Sequence, residues 1–318
     1  MDPLDAALAT VRVEGAMVGR SLVEPPWALA LESAEPCVLA AMVNGDGWVR
    51  HGEGEPRRLH AGCVAMACGS RPLVVSDDPR TKPRVIIRGA DQCVDTATGD
   101  SALDRDRTGV RTWGPWDAPV SVLFGAYRTD GALYELLARG LPELVILGPD
   151  PGVSSVLSAV VLETDVDRPG QQVVVDRLME LLLFATVRAW TTVPQELPPT
   201  WARALSDPFV GPALRAMHAD PARAWTVESL AATAGRSRAA FARRFRELVG
   251  EPPLAHLARW RMALAVDLMN DAALDLTEIA RRIGYADAFS FSSAFRRVRG
   301  VAPSEHRRTT ARRRVERG

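Results

Sequence analysis

Residues 226–250 read TVESLAATAGRSRAAFARRFRELVG, a pattern that predicts two short helices joined by a tight turn. Gly235 ends the first helix without steric cost, and Ser237 is placed to cap the second. Apolar residues recur at helical spacing in both halves. The stretch is therefore typical of a helix-turn-helix motif.

The second of these helices has two different sides. With Phe241 at zero and about 100° per residue, Phe245 and Leu248 lie within about 60° of it and form an aromatic stripe that packs. Small residues on the other side would let the backbone approach a groove, and arginines there suit guanine edges or phosphates. This outward side carries Ala239, Ala242, Arg243 and Arg246.

The same pattern returns about fifty residues later. Residues 276–284 predict a helix that ends at a glycine, and Asp287 is placed to cap the next one. Phe291 and Phe295 repeat the aromatic spacing of the first motif, and the outward side carries Phe289, Ser292, Ser293 and Arg296. Two such units predict two reading helices about 34 Å apart, one turn of duplex DNA.

Several motifs resemble the DNA-binding domain of the AraC/XylS family of bacterial transcription regulators. They read WTVESLA at 225–231, SRAAFARRF at 237–245, GEPPL at 250–254, RWRMALA at 259–265, IARRIGY at 279–285 and GVAPSEHR at 300–307. The resemblance spans about residues 210–308. It implies a rigid connector helix near residues 254–269, promoter DNA and RNA polymerase as partners, and activation of transcription.

The resemblance also implies which residues face the DNA. Its base-reading positions correspond to Arg238, Ala239, Ala242 and Arg243 in the first unit and to Ala288, Phe289, Ser292 and Ser293 in the second. Four further arginines on the two helices are DNA-binding candidates, namely Arg244, Arg246, Arg296 and Arg297.

Charge is unevenly distributed along the chain, although 39 basic and 39 acidic residues cancel overall. Residues 211–318 contain 20 arginines and no lysine against 11 acidic residues, whereas residues 1–210 contain 19 basic and 28 acidic residues. A basic C-terminal part favours a polyanionic partner. An apolar run of the roughly 20 residues that span a bilayer is missing from the sequence, which predicts a cytoplasmic protein without a membrane partner.

Residues 1–147 predict a β-rich domain, a barrel or sandwich of many short strands. The predicted strands are 38–43, 47–49, 64–67, 73–75, 85–87 and 120–126, separated by turn clusters such as residues 44–47 and 76–79. The motifs at residues 47–50, 59–67 and 71–79 resemble the cupin-type N-terminal domain of one branch of the same family. We therefore expect a cupin-like barrel that senses a signal.

A metal-dependent cupin enzyme would need clustered histidine and carboxylate ligands. His51 and His60 are the histidines of this region, and the segment from Cys68 to Arg71 stands where the family pattern often has a histidine. We therefore expect neither a metal nor a required cofactor, and no catalytic residue. The alternative is a cupin-type oxygenase or isomerase with an attached DNA-binding module; a purely architectural DNA-binding protein would not need a barrel.

All four cysteines, Cys37, Cys63, Cys68 and Cys93, fall in the barrel region. Their clustering is consistent with a thiol-based or metal-thiolate sensor, whereas inert core cysteines or a pocket for an organic ligand are the alternatives. Cys63 and Cys68 differ by an odd number of positions, so a straight strand puts them on opposite faces. Tryptophans that would line an organic pocket are Trp27, Trp48, Trp113 and Trp116.

Helices are predicted at 153–164 and 173–190. The second has an apolar stripe, made of Leu178, Leu181, Leu182, Ala185 and Ala189, that is predicted to be buried either in a homodimer or against the protein's own barrel. Residues 191–200 contain three prolines and predict a linker, residues 201–218 a lead-in helix. The charged tail from residue 307 predicts no regular structure; it either touches DNA non-specifically or remains solvated.

The sequence thus predicts a multidomain chain: a cupin-like β-barrel at 1–147, a helical dimerisation region and linker at 148–200, an all-α domain with two helix-turn-helix units at 201–308, and a basic tail at 309–318. The predicted function is sequence-specific DNA binding by a transcription regulator, an activator whose N-terminal domain senses a small molecule or a redox change.

Overall fold

The computed structural model describes residues 13, 15–33, 35, 37–89, 92–102, 107–127, 141–192, 204–205, 207–271 and 273–315. These residues divide into two compact units, one ending at residue 192 and the other starting at residue 204. The first unit contains strands and two helices, and the second is helical.

Two six-stranded sheets form the N-terminal unit, with strand orders β10-β1-β11-β3-β6-β12 and β5-β4-β7-β2-β8-β9. The strands are β1 (Met17–Val23), β2 (Ala28–Leu31), β3 (Cys37–Asn44), β4 (Gly47–His51), β5 (Arg57–Leu59), β6 (Val64–Cys68), β7 (Leu73–Ser76), β8 (Val85–Gly89), β9 (Gln92–Asp95), β10 (Thr112–Trp113), β11 (Val120–Ala126) and β12 (Leu144–Leu147). Neighbours pair antiparallel except for β1 with β10 and β2 with β8, which are parallel.

The core lies between the two sheets, where alternate residues of facing strands are buried. On β3 the inward residues are Val38, Ala40 and Met42, and β6 contributes Ala65 and Ala67. In the part of the chain that the structure describes, the two sheets are not joined into one closed ladder. The β-rich, cupin-like fold that the sequence predicted is confirmed, as a two-sheet jelly roll that stays open.

The six predicted strands all occur, as β3, β4, β6, β7, β8 and β11, and their ends agree within two residues. Six further strands were not predicted: β1, β2, β5, β9, β10 and β12. Most of these are short or carry polar residues at their ends, so their pattern alone does not separate them from loops.

Helices α1 (Pro151–Asp165) and α2 (Gln171–Thr192) pack against each other and against the first sheet. The contact between α2 and β11 is close, because a side chain at Gly125 would overlap the terminal methyl of Met179. The end of α1 is held by Asp165, whose two carboxylate oxygens each lie 3.0 Å from Nη1 of Arg20 on β1. Both predicted helices are confirmed, with one or two more residues at each end.

The apolar stripe predicted for α2 is wrong in part. Leu182 and Ala185 are buried, but Leu178 and Ala189 are only half-buried and Leu181 is 50% exposed. Apolar residues lie around more of the circumference of α2 than the first sheet and α1 bury. The apolar pattern therefore did not determine which side of the helix faces the sheet. The buried side is instead formed by Val175, Met179, Leu182, Leu183, Thr186 and Trp190.

The C-terminal unit contains helices α3 (Val210–Ala219), α4 (Val227–Thr233), α5 (Arg238–Val249), α6 (Pro253–Leu268), α7 (Leu276–Arg282), α8 (Ala288–Arg299) and α9 (Pro303–Val315). Both predicted helix-turn-helix units are present, as α4 with α5 and as α7 with α8, and α6 is the connector. The capping oxygen of Ser237 accepts from the backbone N–H of Ala240, and that of Asp287 from the backbone N–H of Ser290. Both helices that follow therefore begin where the capping residues predict.

Two predictions at the ends of this unit are wrong. The lead-in helix does not run from residue 201 through residue 209, because residues 207–209 form a turn in which the Asp207 carboxylate accepts from the backbone N–H groups of Phe209 and Val210. Residues 201–203 and 206, and linker residues 193–200, lie outside the described residues, while Thr191 and Thr192 belong to α2. The charged tail is helical to Val315 as part of α9, since arginine and alanine are good helix formers.

Gly284 allows the second helix-turn-helix unit to pack closely on the segment before the first. Its φ is +82°, and a Cβ at this position would overlap the backbone of Ala222. Gly250 has a similar φ of +86°, but a Cβ there would meet no neighbouring atom within 4 Å.

These two glycines separate backbone strain from close packing. We expect Gly250→Ala to lower the free energy of unfolding by about 1 kcal/mol through the left-handed backbone alone. Gly284→Ala should cost roughly 1–3 kcal/mol more, because backbone atoms must move. Denaturant unfolding of the full chain measures both, and equal losses would contradict the close packing.

Candidate functional site

The outward face of α5 is the first part of the candidate site. Phe241, Phe245 and Val249 are buried on one side of the helix. The two phenylalanine rings lie 5.7 Å apart and anchor the helix in its unit. As the helical periodicity predicted, Ala239, Arg243 and Arg246 face outward and are exposed, and Ala242 is half-buried among them. Arg238, which the family resemblance added, is exposed as well.

The arginines of α5 differ in their partners. Arg238 forms an ion pair of 2.8 Å with Glu228 of α4, across the turn of the motif, and the Arg243 guanidinium lies 3.9 Å from Glu247. Both side chains remain mostly exposed, so solvent weakens these pairs. Arg243 therefore presents a cationic planar group on the outward face.

Arg244 instead ties α5 to the start of α3. Its guanidinium donates to Oδ2 of Asp207 from Nε at 3.2 Å and from Nη2 at 2.9 Å, and the Asp207 side chain is only 7% exposed. Burial would raise the pKa of Asp207, but hydrogen bonds from the backbone of Val210 and Phe209 and from Arg244 outweigh it and lower that pKa. The carboxylate thus caps α3 and fixes α5 at the same time.

A buried imidazole pair lies behind α5. Nδ1 of His256 is 3.0 Å from Oε1 of Glu251, and its Nε2 is 2.9 Å from Nε2 of His218, whose ring stacks on Trp260 at 3.7 Å. Burial lowers the pKa of both histidines. A neutral His256 that donates its one proton to Glu251 accepts through Nε2 from His218. His256 also meets Phe245 edge-on, so this polar cluster supports the packed side of α5.

The outward face of α8 has a different composition. Phe291, Ala294 and Phe295 are buried, and the two rings lie 5.7 Å apart, as in the first unit. Phe289 is 82% exposed, and Ser293, Arg296 and Arg297 are exposed as well. The remaining predicted residues, Ala288 and Ser292, are half-buried.

The four cysteines do not form one cluster; two of them pair and two are separate. Cys37 and Cys68 face each other in register on β3 and β6 and form a disulfide. Cys63 is in the core between the sheets, on the opposite face from Cys68 as its position predicted. Cys93 of β9 is half-buried, and burial raises the pKa of its thiol. The sequence did not identify the 37–68 pair, because strand register is set by non-local contacts.

Histidines and carboxylates of the described residues do not form a metal centre. Among these residues no three or more His, Cys, Asp or Glu side chains are grouped so that they could hold a metal ion. His51 is buried at the end of β4, and His60 lies 3.1 Å from Asp46 in an exposed pair.

A cavity of about 700 Å³ opens in the N-terminal unit beside the core. Its wall is mostly apolar, with three aromatic residues, three arginines, two carboxylates and the thiol of Cys93. Representative residues are Trp27, Leu29, Arg84, Cys93, Asp95 and Trp113. Of the tryptophans proposed to line a pocket, Trp27 and Trp113 do so. Trp48 instead lies under the guanidinium of Arg58, and Trp116 is exposed.

The cavity joins residues that are distant in the sequence. Strands β1, β2, β8, β9 and β11 all contribute to its wall. Sequence analysis did not find the lining residues of β1, because that strand was not predicted. None of the helices in the described part of the chain has both the length and the apolar character that crossing a membrane requires.

Comparison with known proteins agrees with both halves of this architecture. Residues 2–192 match a family model described as cupin, and residues 230–309 match one described as helix-turn-helix domain. A putative AraC-like transcription regulator of Streptomyces lividans is 29% identical over 313 residues, covering 97% of this chain and 98% of the relative. The HTH-type transcriptional regulator AlkR of Acinetobacter baylyi is 28% identical over 289 residues, 88% of this chain and 90% of AlkR.

A shorter match has higher identity. The RCS-specific HTH-type transcriptional activator RclR of Escherichia coli is 42% identical over 103 residues, 32% of this chain and 36% of RclR. A cupin domain followed by two helix-turn-helix units, with regulators as relatives over nearly the whole chain, defines a DNA-binding transcription regulator. The chain belongs to the AraC/XylS family, in the group with a cupin N-terminal domain.

Proposed function

We propose that this regulator recognises its promoter sites through the outward faces of α5 and α8. The packing of these helices carries the proposal, because the buried phenylalanines leave the candidate residues facing solvent. Base edges would meet Arg238, Ala239, Ala242 and Arg243 on α5, and Ala288, Phe289, Ser292 and Ser293 on α8. Arg246, Arg296 and Arg297 would contact phosphates, and Arg244 would hold α5 in place.

Neighbouring arginines on α5 separate base reading from positioning. We expect Arg243→Ala to weaken binding to a selected site by about 1–3 kcal/mol, with little change in binding to scrambled DNA. Arg244→Ala should weaken binding to both DNAs alike and lower the free energy of unfolding by about 1 kcal/mol, because the contact with Asp207 is lost. Fluorescence anisotropy and denaturant unfolding of the full chain measure these effects. Equal losses on both DNAs from Arg243→Ala would exclude its role in base reading.

The signal, we propose, is a small organic molecule that binds in the N-terminal cavity. The apolar wall and its size match those of ordinary ligand sites. Within the described residues, the buried indole N–H of Trp27 has no hydrogen-bond partner, so an acceptor on the ligand would satisfy it. The second candidate is a redox signal received by thiols. It is favoured by the register of Cys37 and Cys68 on neighbouring strands, which places the two sulfur atoms within bonding distance.

We further propose that the protein activates transcription through RNA polymerase in the cytoplasm, where promoter DNA is, and has no enzymatic role and no required cofactor. Its relatives are named as regulators, and RclR is named as an activator. A cupin-type oxygenase or isomerase activity remains the alternative. Turnover of a small molecule by the purified protein would establish that alternative.

One transcription assay tests activation and the nature of the signal together. We expect purified protein to increase the yield of transcript from its own upstream region, with equal yields from oxidised and reduced protein. A redox response that Cys37→Ser abolishes and Cys93→Ala leaves intact would favour the thiol pair over the organic ligand. A fall in transcript yield would contradict activation.

We propose that the regions predicted from the sequence have separate functions. Residues 1–147 sense the signal, residues 148–200 form the dimer and the linker, residues 201–308 bind DNA, and residues 309–318 are a basic extension. Exposed apolar residues on α1 and α2 support a homodimer through the second region. They are Leu162, Val173, Val174 and Leu181. A second copy would remove this surface from water.

A charge on the exposed side of α2 tests the dimer. We expect Leu181→Glu to convert a dimer to a monomer, because burying an unpaired carboxylate at the interface is costly. Light scattering on the full chain measures the mass. Trp116→Glu alters another exposed apolar residue of the same unit and should leave the dimer intact. A monomeric wild-type chain would contradict the proposal.

A further inference from the structure

Phe289 is the most exposed large apolar side chain among the described residues, at 82%. It is the second residue of α8 and lies opposite the buried face, about 120° or more around the helix from Phe291, Ala294 and Phe295. Its ring packs with neither Phe291 nor Phe295, which contact each other. A ring that remains 82% exposed buries little apolar surface on folding, so it contributes little to the stability of the unit. Its presence on a face that is proposed to enter a DNA groove points to a contact made only in the complex.

The polar groups beside Phe289 are largely occupied within the helix. The Ser290 hydroxyl donates to the carbonyl of Asp287 at 2.9 Å, and the Ser292 hydroxyl donates to the carbonyl of Ala288 at 2.7 Å. The Asp287 carboxylate accepts from the backbone N–H of Ser290 at 2.7 Å. The first turn of α8 therefore presents a binding partner with an apolar ring, while the hydroxyl groups beside that ring already donate within the helix.

Charge on the same side of α8 favours DNA as the partner. At about 100° per residue, Arg296 lies about 20° and Arg297 about 80° from Phe289 around the helix, and both are exposed. Two cations further along the stripe suit phosphates that flank a groove. An apolar ring at one end of such a stripe is then held near base edges, where the thymine 5-methyl group is the apolar feature of the major groove.

We propose that Phe289 contacts the 5-methyl group of a thymine in the half of the site that α8 reads. The inference rests on the proposed base-reading role of α8 and adds the base that it selects. It also makes the two halves of the site chemically different, since α5 presents arginines that suit guanine. The regulator then binds a guanine-containing segment and a thymine-containing segment about one duplex turn apart.

Removal of one methyl group from the DNA tests the proposal. A site is selected from a random duplex pool with the full chain, and each of its thymines is replaced in turn by deoxyuridine, which lacks only that methyl. We expect the wild-type affinity to fall about four-fold at one or two positions, the value for a methyl group withdrawn from water. Phe289→Ala should bind the thymine site more weakly and lose the difference between thymine and uracil.

Val298→Ala is the matched control. Val298 is an exposed apolar residue of the same helix, 38% exposed, and lies about 180° around it from Phe289. This variant should keep the full response to uracil. Neither side chain is fully buried, so we expect both variants to keep a melting temperature close to that of the wild type, which would establish that both fold.

Three outcomes would overturn the inference while leaving sequence-specific binding in place. Unchanged affinity after replacement of every thymine by deoxyuridine would exclude a methyl contact. If Phe289→Ala still weakened binding in that case, the result would indicate a ring inserted between base steps. A uracil effect that persists in Phe289→Ala would assign the methyl contact to another residue. Unchanged DNA binding with reduced transcription in Phe289→Ala would assign the ring to RNA polymerase. Enrichment of no sequence from the pool would instead refute the proposed function itself.

Discussion

Burial of two phenylalanines one helical turn apart is the constraint on which the DNA-binding unit depends. The pairs Phe241 with Phe245 and Phe291 with Phe295 each have a centroid separation of 5.7 Å and are fully buried. Burial of each ring stabilises the folded unit by about 2 kcal/mol. A rotation of either helix that exposed both of its rings would therefore cost several kcal/mol of folding free energy. Because helical geometry relates the opposite side to the packed one, fixing the rings also fixes which residues face outward.

The surrounding contacts keep these helices in position. Arg244 joins α5 to the Asp207 cap of α3, and Arg261 of α6 donates to the backbone carbonyls of Pro221 and Arg223. The His218–His256 pair fills the space behind α5 in its neutral form, with Glu251 as the final acceptor. Charged residues of this unit therefore divide into those that hold the scaffold and those that remain available on its surface, a division that sequence position alone does not reveal: Arg243 and Arg244 are adjacent.

The parts that could be predicted from the sequence are those fixed by local spacing. The four helices of the two motifs and most residues of their outward faces follow from periodicity and capping residues within stretches of about 25 residues. The connector helix was implied by the resemblance to the family. The rotation of α2 did not follow, because its apolar residues cover more than one face and the covering elements are distant in sequence. The helical tail was missed for the opposite reason: α9 has good helix formers without an apolar stripe, and periodicity carries no signal there.

The same distinction separates the two functional regions. The residues proposed to read DNA stand at i, i+1, i+4 and i+5 of one helix, so Arg238 and Arg243 are placed together by the helix itself. The two proposed sensing sites each combine residues that are distant in the sequence: the wall of the cavity combines β1, β8 and β11, and the members of the cysteine pair are 31 residues apart. Sheet register brings these groups together, and a shift of one residue would turn each of them to the other face. Substitutions scattered over many strands would therefore change the chemistry of the proposed ligand site, while the proposed DNA-reading faces are encoded in two short segments.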